Sequence, residues 1–348
     1  MAYGASLSAE TSHKYDATAF RIFAYHRIGE DQYPETNIRL SQFEDHIQEL
    51  THDNYNVMAL PDVLKMLTAG KSLPEKTVVL TFDGGHASIY RHAVPLLQDA
   101  NLPFTLFIGA DLIDSGSNEY MQWTDIKKLS KDKHITIGMH PATYQRLYTE
   151  DKQTIKHEIN RGKSRIRDMT GITPTLFAYP FGEYSNTYRE IVGTLGLSAA
   201  VTQNSAVGHL ETDMLALPRF SMTERYGDVD RFRMLANALP LPATIKRPAD
   251  PYVKSVEDKK EIVISFDNRV ITDPELLSCF LSDYGRKDLI FNNESDETIV
   301  KLAIDTPVHN SRQRLNCTYP VSTDTAGQWR WYGQLFVKDV SDYLQADN

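Results

Sequence analysis

The feature that most limits what this chain can fold into is an alternation: from about residue 20 to 222, short β-forming runs take turns with stretches of helical period. The runs are RIFAYHRI (21–28), VVLTFD (78–83), PFTLFIGA (103–110), ITIG (135–138), TLFAYP (175–180) and SAAVTQ (198–203). The clearest helical stretch is 152–170, where Ile155, Ile159, Ile166 and Met169 keep one face apolar and charged side chains take the other. Ser41 and Ser185 stand where N-caps would open two further helices. Such alternation means parallel strands joined by helical crossovers, so the choice lies between a barrel and a doubly wound sheet. No GxGxxG and no GxxxxGK followed by Ser or Thr comes after any of these strands, which removes the common nucleotide-binding fingerprints.

Beyond residue 238 the pattern changes. Pro240, Pro242, Pro248 and Pro251 fall close together, and 241–252 is expected to be a stiff, extended linker. After it, 261–267, 288–293, 297–305, 312–321 and 328–340 are rich in β-formers and separated by polar turns, which predicts a small β-sandwich over 253–348. The expected organisation is thus an N-terminal extension (1–19), an α/β domain (20–240), the linker and the sandwich. A length of 348 residues suits one large and one smaller domain, because single cores seldom grow beyond ~250–300 residues. The net charge of −9 argues against a nucleic-acid partner, which needs a basic face to displace counterions. No run reaches the ~18 apolar residues of a membrane span, and the start MAYGASLSAE lacks the basic-then-apolar pattern of a signal peptide.

The only cysteines are Cys279 and Cys317, both in the last third. They are read either as a disulfide inside the C-terminal module, which implies an oxidising compartment, or as two buried reduced thiols packed as small hydrophobes. Trp329 and Trp331, two apart on one expected strand, share a face. They would either stack on sugar rings or fill the sandwich core.

Four points along the large domain carry chemistry at the ends of expected strands. Asp83 closes VVLTFD and is followed by Gly84-Gly85; His140 ends IGMH; a Pro-Phe-Gly turn lies in FAYPFGEYS (177–185); and Arg219 lies in LPRF (217–220). Strand C-terminal ends are where parallel barrels and sheets place catalytic groups. Singly, each has an ordinary explanation: a turn aspartate, a satisfied polar histidine, a tight turn and a surface ion pair.

Taken in order, TFDGG, GxH, FAYPFG and LPRF resemble the motif series of the polysaccharide deacetylase family, the NodB-homology domain of carbohydrate esterase family 4. The similarity covers roughly 20–240 and is nearest to the branch that deacetylates poly-N-acetylglucosamine, whose members also open on a strand like AYHRI (24–28). It implies a distorted (β/α)7-type barrel and a hydrolase removing N-acetyl or O-acetyl groups from an envelope or secreted glycan. It also implies a divalent metal, zinc or similar, held by one carboxylate and two imidazoles so that it polarises the acetyl carbonyl and acidifies bound water. Location would be periplasmic, cell-envelope or secreted, and the partner a polysaccharide or oligosaccharide.

Carried over residue by residue, the resemblance makes Asp83 the general base, Arg219 its orienting partner and His140 the first metal histidine. Pro180, Phe181 and Gly182 form the turn that shapes the groove, with Phe181 among the catalytic positions through the oxyanion N–H. Tyr179, Tyr144 and His26 join that turn in substrate binding. Two positions depart from the pattern: Gly84 stands where the metal carboxylate belongs, and Tyr144 replaces the second histidine in HPATY. A phenol is a poor ligand at neutral pH because its pKa is near ~10. Either a new metal set has formed from His86, His140 and His26 near Asp83, or the metal reaction has been lost. The late leucine–histidine acid of the family has no clear counterpart, His209 being a weak candidate. Two functions follow, a deacetylase with an atypical or absent metal site and a noncatalytic glycan-binding protein that keeps the groove.

Overall fold

In the computed structural model of the chain, which describes residues 14–52, 54–254, 260–282, 284–304, 311–321 and 327–338, the alternating stretch forms one parallel sheet. Its strands are β1 (Phe20–Tyr25), β4 (Asn56–Val57), β5 (Thr77–Asp83), β6 (Phe104–Ile108), β7 (Ile135–Met139), β8 (Leu176–Ala178), β9 (Ala199–Val201) and β10 (Phe220–Ser221). They run in the order β10-β1-β5-β6-β7-β8-β9, with β4 also paired to β5. A parallel bridge between Val201 and Leu217 curls the β9 side back toward the segment entering β10. The expected barrel-type α/β fold is therefore present. A small pair, β2 (Arg27–Ile28) and β3 (Asn37–Ile38), follows β1.

Strands β1 and β5 are buried along their whole length, as parallel strands covered on both faces must be. On the face that carries Asp83, Ile22, Val79, Phe107, Leu176, Ala199 and Leu217 pack together with the helix Leu60–Thr68. The other face meets the remaining helices through Phe23, Tyr25, Leu80, Phe82 and Phe104. The helix Lys152–Thr170 buries Ile155, Ile159 and Ile166, opens on Asp151, whose side chain accepts from the Gln153 and Thr154 amides, and ends at Gly171. Ser185 caps Asn186–Thr194 as expected. Ser41 caps nothing: the helix begins at Leu40, and the Gln42 side chain takes the Arg39 amide at 3.2 Å.

The C-terminal strands form two sheets. One contains β11 (Leu239–Pro240), β20 (Trp329–Lys338), β19 (Arg312–Pro320), β15 (Ser278–Leu281) and β16 (Gly285–Arg286), with β13 (Tyr252–Val253) also on β20. The other is β12 (Ala243–Arg247), β14 (Glu261–Asp267), β18 (Glu297–Ala303) and β17 (Ile290–Asn293). Ile262, Ile264, Phe266, Val300, Leu302, Leu315, Cys317 and Phe336 pack between them. Cys279 and Cys317 face each other across β15 and β19 and form a disulfide.

Two expectations need correction. The stretch 241–252 is extended, but it is not only the stiff linker expected: β12 within it pairs with β14, and its last residue, Tyr252, opens β13 on β20. Its prolines flank β12, and β12 is an edge strand, where a missing N–H costs no ladder bond. Trp331 neither stacks outward nor fills the sandwich: its ring meets Phe220 of the barrel edge-on at 6.0 Å. The alternation of β20 and β19 explains this, because Trp331, Leu335 and Arg312 lie on the sheet face turned to the barrel. The Leu335 amide donates to Asn204 at 2.8 Å, and Arg330 pairs with Asp16 at 2.7 Å. The described part of the N-terminal extension is also built in, with Tyr15 packed into the sandwich core. Residues 1–13 of that expected extension lie outside the described residues.

Candidate functional site

Because side chains alternate along β5, Thr81 and Asp83 point to one side, and Asp83 ends the strand. Arg219, immediately before β10, meets it with two parallel bonds, Nη1 and Nη2 each donating to a carboxylate oxygen at 2.7 Å. Arg219 also donates to Thr81 Oγ1 at 3.1 Å and to the Thr202 carbonyl at 2.8 Å. Both residues are essentially inaccessible, at 0% and 1% side-chain exposure. Burial alone would push the Asp83 carboxyl up, but the Arg219 guanidinium outweighs it and holds the group well below the usual carboxylate range. His26, just after β1, places Nε2 3.8 Å from Asp83 Oδ2.

His140 follows β7 and is fully buried. Its Nδ1 lies 2.8 Å from the Ala178 carbonyl and donates to it, so Nε2 is left as an acceptor, and that buried nitrogen has no partner. Burial lowers its pKa to about 4, so the ring is neutral. This is the orientation of a metal-ligating histidine, with the second nitrogen fixed by a carbonyl.

The rest of a metal set does not assemble around it. Gly84 adopts φ +87°, and a Cβ there would sit 3.0 Å from His86 Nε2, so the imidazole fills the space of the missing carboxylate. His86 stacks on Tyr120 at 5.2 Å, and burial lowers its pKa to about 3. Tyr144 sets its ring edge-on to His140 at 4.4 Å, and burial followed by the Asp83 charge pushes its phenol up, away from the ligating phenolate. Among the described residues no group of three or more His, Cys, Asp or Glu side chains is placed to hold a metal ion. The family's ligand set is thus incomplete at Gly84 and Tyr144, although His26 Nδ1 and His86 Nδ1, like His140 Nε2, are buried without a hydrogen-bond partner.

The Pro180–Gly182 turn follows β8, with Phe181 at φ +59°. Gly182 is required, because a Cβ there would lie 2.3 Å from the Gln203 nitrogen. The Gly182 amide donates to the Tyr179 carbonyl at 2.9 Å and the Glu183 amide to the Pro180 carbonyl at 3.1 Å, so these two N–H groups are spent within the turn. Tyr179, expected to touch substrate, is fully buried; its hydroxyl donates to the Leu215 carbonyl at 3.0 Å and its ring stacks on Tyr184. Pro180 and Gly182 are buried too, whereas Phe181, Tyr144, His26 and His86 are half-buried at the mouth. His209 packs edge-on against Tyr15 at 5.0 Å and lines a cleft between barrel and sandwich, so it joins none of the contacts of Asp83 or His140 described above.

Three residues at the mouth escaped the sequence reading. Arg146 stacks over the Phe181 ring at 4.1 Å and donates to Glu183 at 2.7 Å. Arg312, from β19 of the sandwich, donates to the Phe181 carbonyl at 2.8 Å and lies 3.0 Å from Glu183 Oε1. Glu183 belongs to the FAYPFGEYS block and was open to suspicion, but nothing in the linear sequence points to Arg312, 131 residues from the carbonyl it holds.

Residues 70–200 match the family model "Polysaccharide deacetylase". YxkH of Bacillus subtilis, whose name carries the same family, is 25% identical over 198 residues, covering 57% of this chain and 69% of that protein. The poly-β-1,6-N-acetyl-D-glucosamine N-deacetylase of Escherichia coli K12 is 20% identical over 245 residues, 58% of this chain, but the match spans only 36% of that enzyme. Among solved structures, the Streptococcus pyogenes deacetylase PplD in complex with acetate superposes with a TM-score of 0.58 at 19% identity, covering 63% of this chain and 98% of that one. IcaB from Ammonifex degensii gives 0.56 at 23% identity over 63% and 97%. The structural likenesses are of fold, and with the matched segment and the motif order they make the barrel of this chain similar to the polysaccharide deacetylase family.

Proposed function

We propose that the chain recognises an N-acetylated polysaccharide or oligosaccharide with the mouth of its deacetylase-type barrel and does not remove acetyl groups by metal-dependent hydrolysis. The observation that carries this reading is the Gly84–His86 contact: the position of the absent carboxylate ligand is filled by an imidazole stacked on Tyr120. Asp83 fits the same reading, since both its oxygens are engaged by Arg219 and its basicity is lowered. A Lewis-acid metal contributes several kcal/mol to such a reaction. Tyr144 and Phe181, edge-on to each other at 5.6 Å, offer half-buried aromatic surface of the kind that stacks on sugar rings. The substrates named for the relatives suggest N-acetylglucosamine polymers as the ligand class. The disulfide suits a periplasmic, cell-envelope or secreted location.

A second reading keeps the enzyme. The unpartnered His140 Nε2 favours it, as a polar atom directed into the site with nothing to bond. Calorimetric titration of poly-N-acetylglucosamine oligomers into wild-type protein and Phe181→Ala separates the proposal from an inert fold. Saturable binding weakened about tenfold by the substitution is expected, on the scale of losing one aromatic contact. Absence of binding in the wild type contradicts it.

A further inference from the structure

The mouth carries an excess of positive charge that neither the family resemblance nor the binding reading explains. Arg146 and Arg312 converge on a single carboxylate, Glu183, which is buried at 1% side-chain exposure. Arg314 stands two residues beyond Arg312 on β19, where alternation puts both side chains on the face turned to the barrel. Burial first, and then the positive charge of Arg314, lower the pKa of the Arg312 guanidinium to about 10. Among the described residues, Glu183 is the only carboxylate that pairs with any of the three arginines. Two guanidinium groups therefore converge on one anion beside Phe181, with a third, Arg314, two residues along the same strand from Arg312. Arg312 also acts electrostatically on His26, which sits 3.8 Å from Asp83, so the cluster borders the site.

The division of labour among the three differs. Arg312 is committed to the turn through the Phe181 carbonyl and Glu183. Arg146 uses Nε on Glu183 and its planar face on Phe181, and with its side chain 49% exposed it keeps its Nη donors at the surface. Arg314 is half-exposed and has no side-chain partner among the described residues. Arg146 and Arg314 thus keep guanidinium donors free beside the turn, and the group that matches a planar fork is a carboxylate.

We propose that the glycan recognised at this mouth bears carboxylates, as in a polymer alternating N-acetylglucosamine with a uronic acid, and that Arg146 and Arg314 read them. The inference rests on the glycan-binding reading above and adds the charge of the ligand. It also gives the C-terminal sandwich a role, since β19 supplies Arg312 and Arg314.

The test is equilibrium binding of hyaluronan oligosaccharides, which alternate N-acetylglucosamine and glucuronate, against uncharged chitin oligosaccharides of equal length. It is run on the full chain at low and at high salt. The acidic ligand should bind about fivefold or more tightly at low salt, the scale of two partly exposed ion pairs, with the gap shrinking as salt screens it. Arg314→Glu should abolish the preference. Equal binding of both ligands by the wild type, at either salt, overturns the inference and leaves the glycan-binding reading standing. Binding of neither ligand overturns that reading itself. The wild-type comparison does not depend on how the variant folds.

Discussion

Asp83 and Arg219 are two opposite charges with almost no access to water, tied by a double hydrogen bond. Removing one member of such a pair leaves the other charged and unpaired in a low-dielectric interior, so Arg219→Ala should lose about 3–5 kcal/mol of stability in urea titration. A loss below ~1 kcal/mol would show that water reaches the pair. A second buried polar residue lies far from the mouth. His46, with Nδ1 3.0 Å from the Tyr25 hydroxyl and Nε2 2.9 Å from the Gly227 carbonyl, is stacked on Phe232. Burial, the largest influence, lowers its pKa to about 4, below an unfolded value of ~6.5. The unfolded chain therefore binds the proton first, and the contribution of neutral His46 is complete above pH ~6.5 and lost as pH falls toward about 4. Denaturation midpoints measured from pH 7 to 4 should fall less steeply for His46→Gln than for the wild type; parallel profiles would contradict this assignment.

At the scale of elements, the strand ends were the most legible part of the sequence. Apolar runs bounded by polar residues located β5, β7 and β8, and the residues at or just beyond their ends gave Asp83, His140 and the Pro180–Gly182 turn. The prolines of 241–252 misled because a proline marks a local break, whereas β12 survives between Arg247 and Ala243 by standing at a sheet edge. For Trp331 the face was readable from its spacing to Trp329, but what covers that face depends on how two domains meet, which no local pattern encodes. The disulfide is a direct cross-strand link between β15 and β19, with a sequence separation of 38 residues. The chain-entropy account gives it about 4 kcal/mol, and measured values run ~2–4. Replacing both cysteines with alanine should therefore lower the denaturation midpoint of the protein. An unchanged midpoint would mean that the strand pairing alone holds β15 in place.

Across the whole molecule, barrel and sandwich meet through apolar, charged and backbone contacts together: Trp331 on Phe220, Arg330 with Asp16, Leu335 with Asn204, and Arg312 with Glu183 and Phe181. Neither part keeps its surface satisfied alone, so urea unfolding should follow a single transition, with tryptophan fluorescence and far-UV dichroism coinciding. Two separated transitions would contradict this coupling. The family frame was legible because its motifs are short and lie at strand ends. Its departures from the motif pattern were legible at Gly84 and Tyr144, and the position of His86 beside Gly84 required the fold. On the function proposed above, this mouth binds glycan without metal-dependent deacetylation. The most direct test is acetate release from poly-N-acetylglucosamine oligomers with added zinc, cobalt or nickel, measured in the samples that give saturable binding. The account predicts binding with acetate release no greater than that of Asp83→Asn. Metal-dependent release by the wild type that Asp83→Asn abolishes would contradict it.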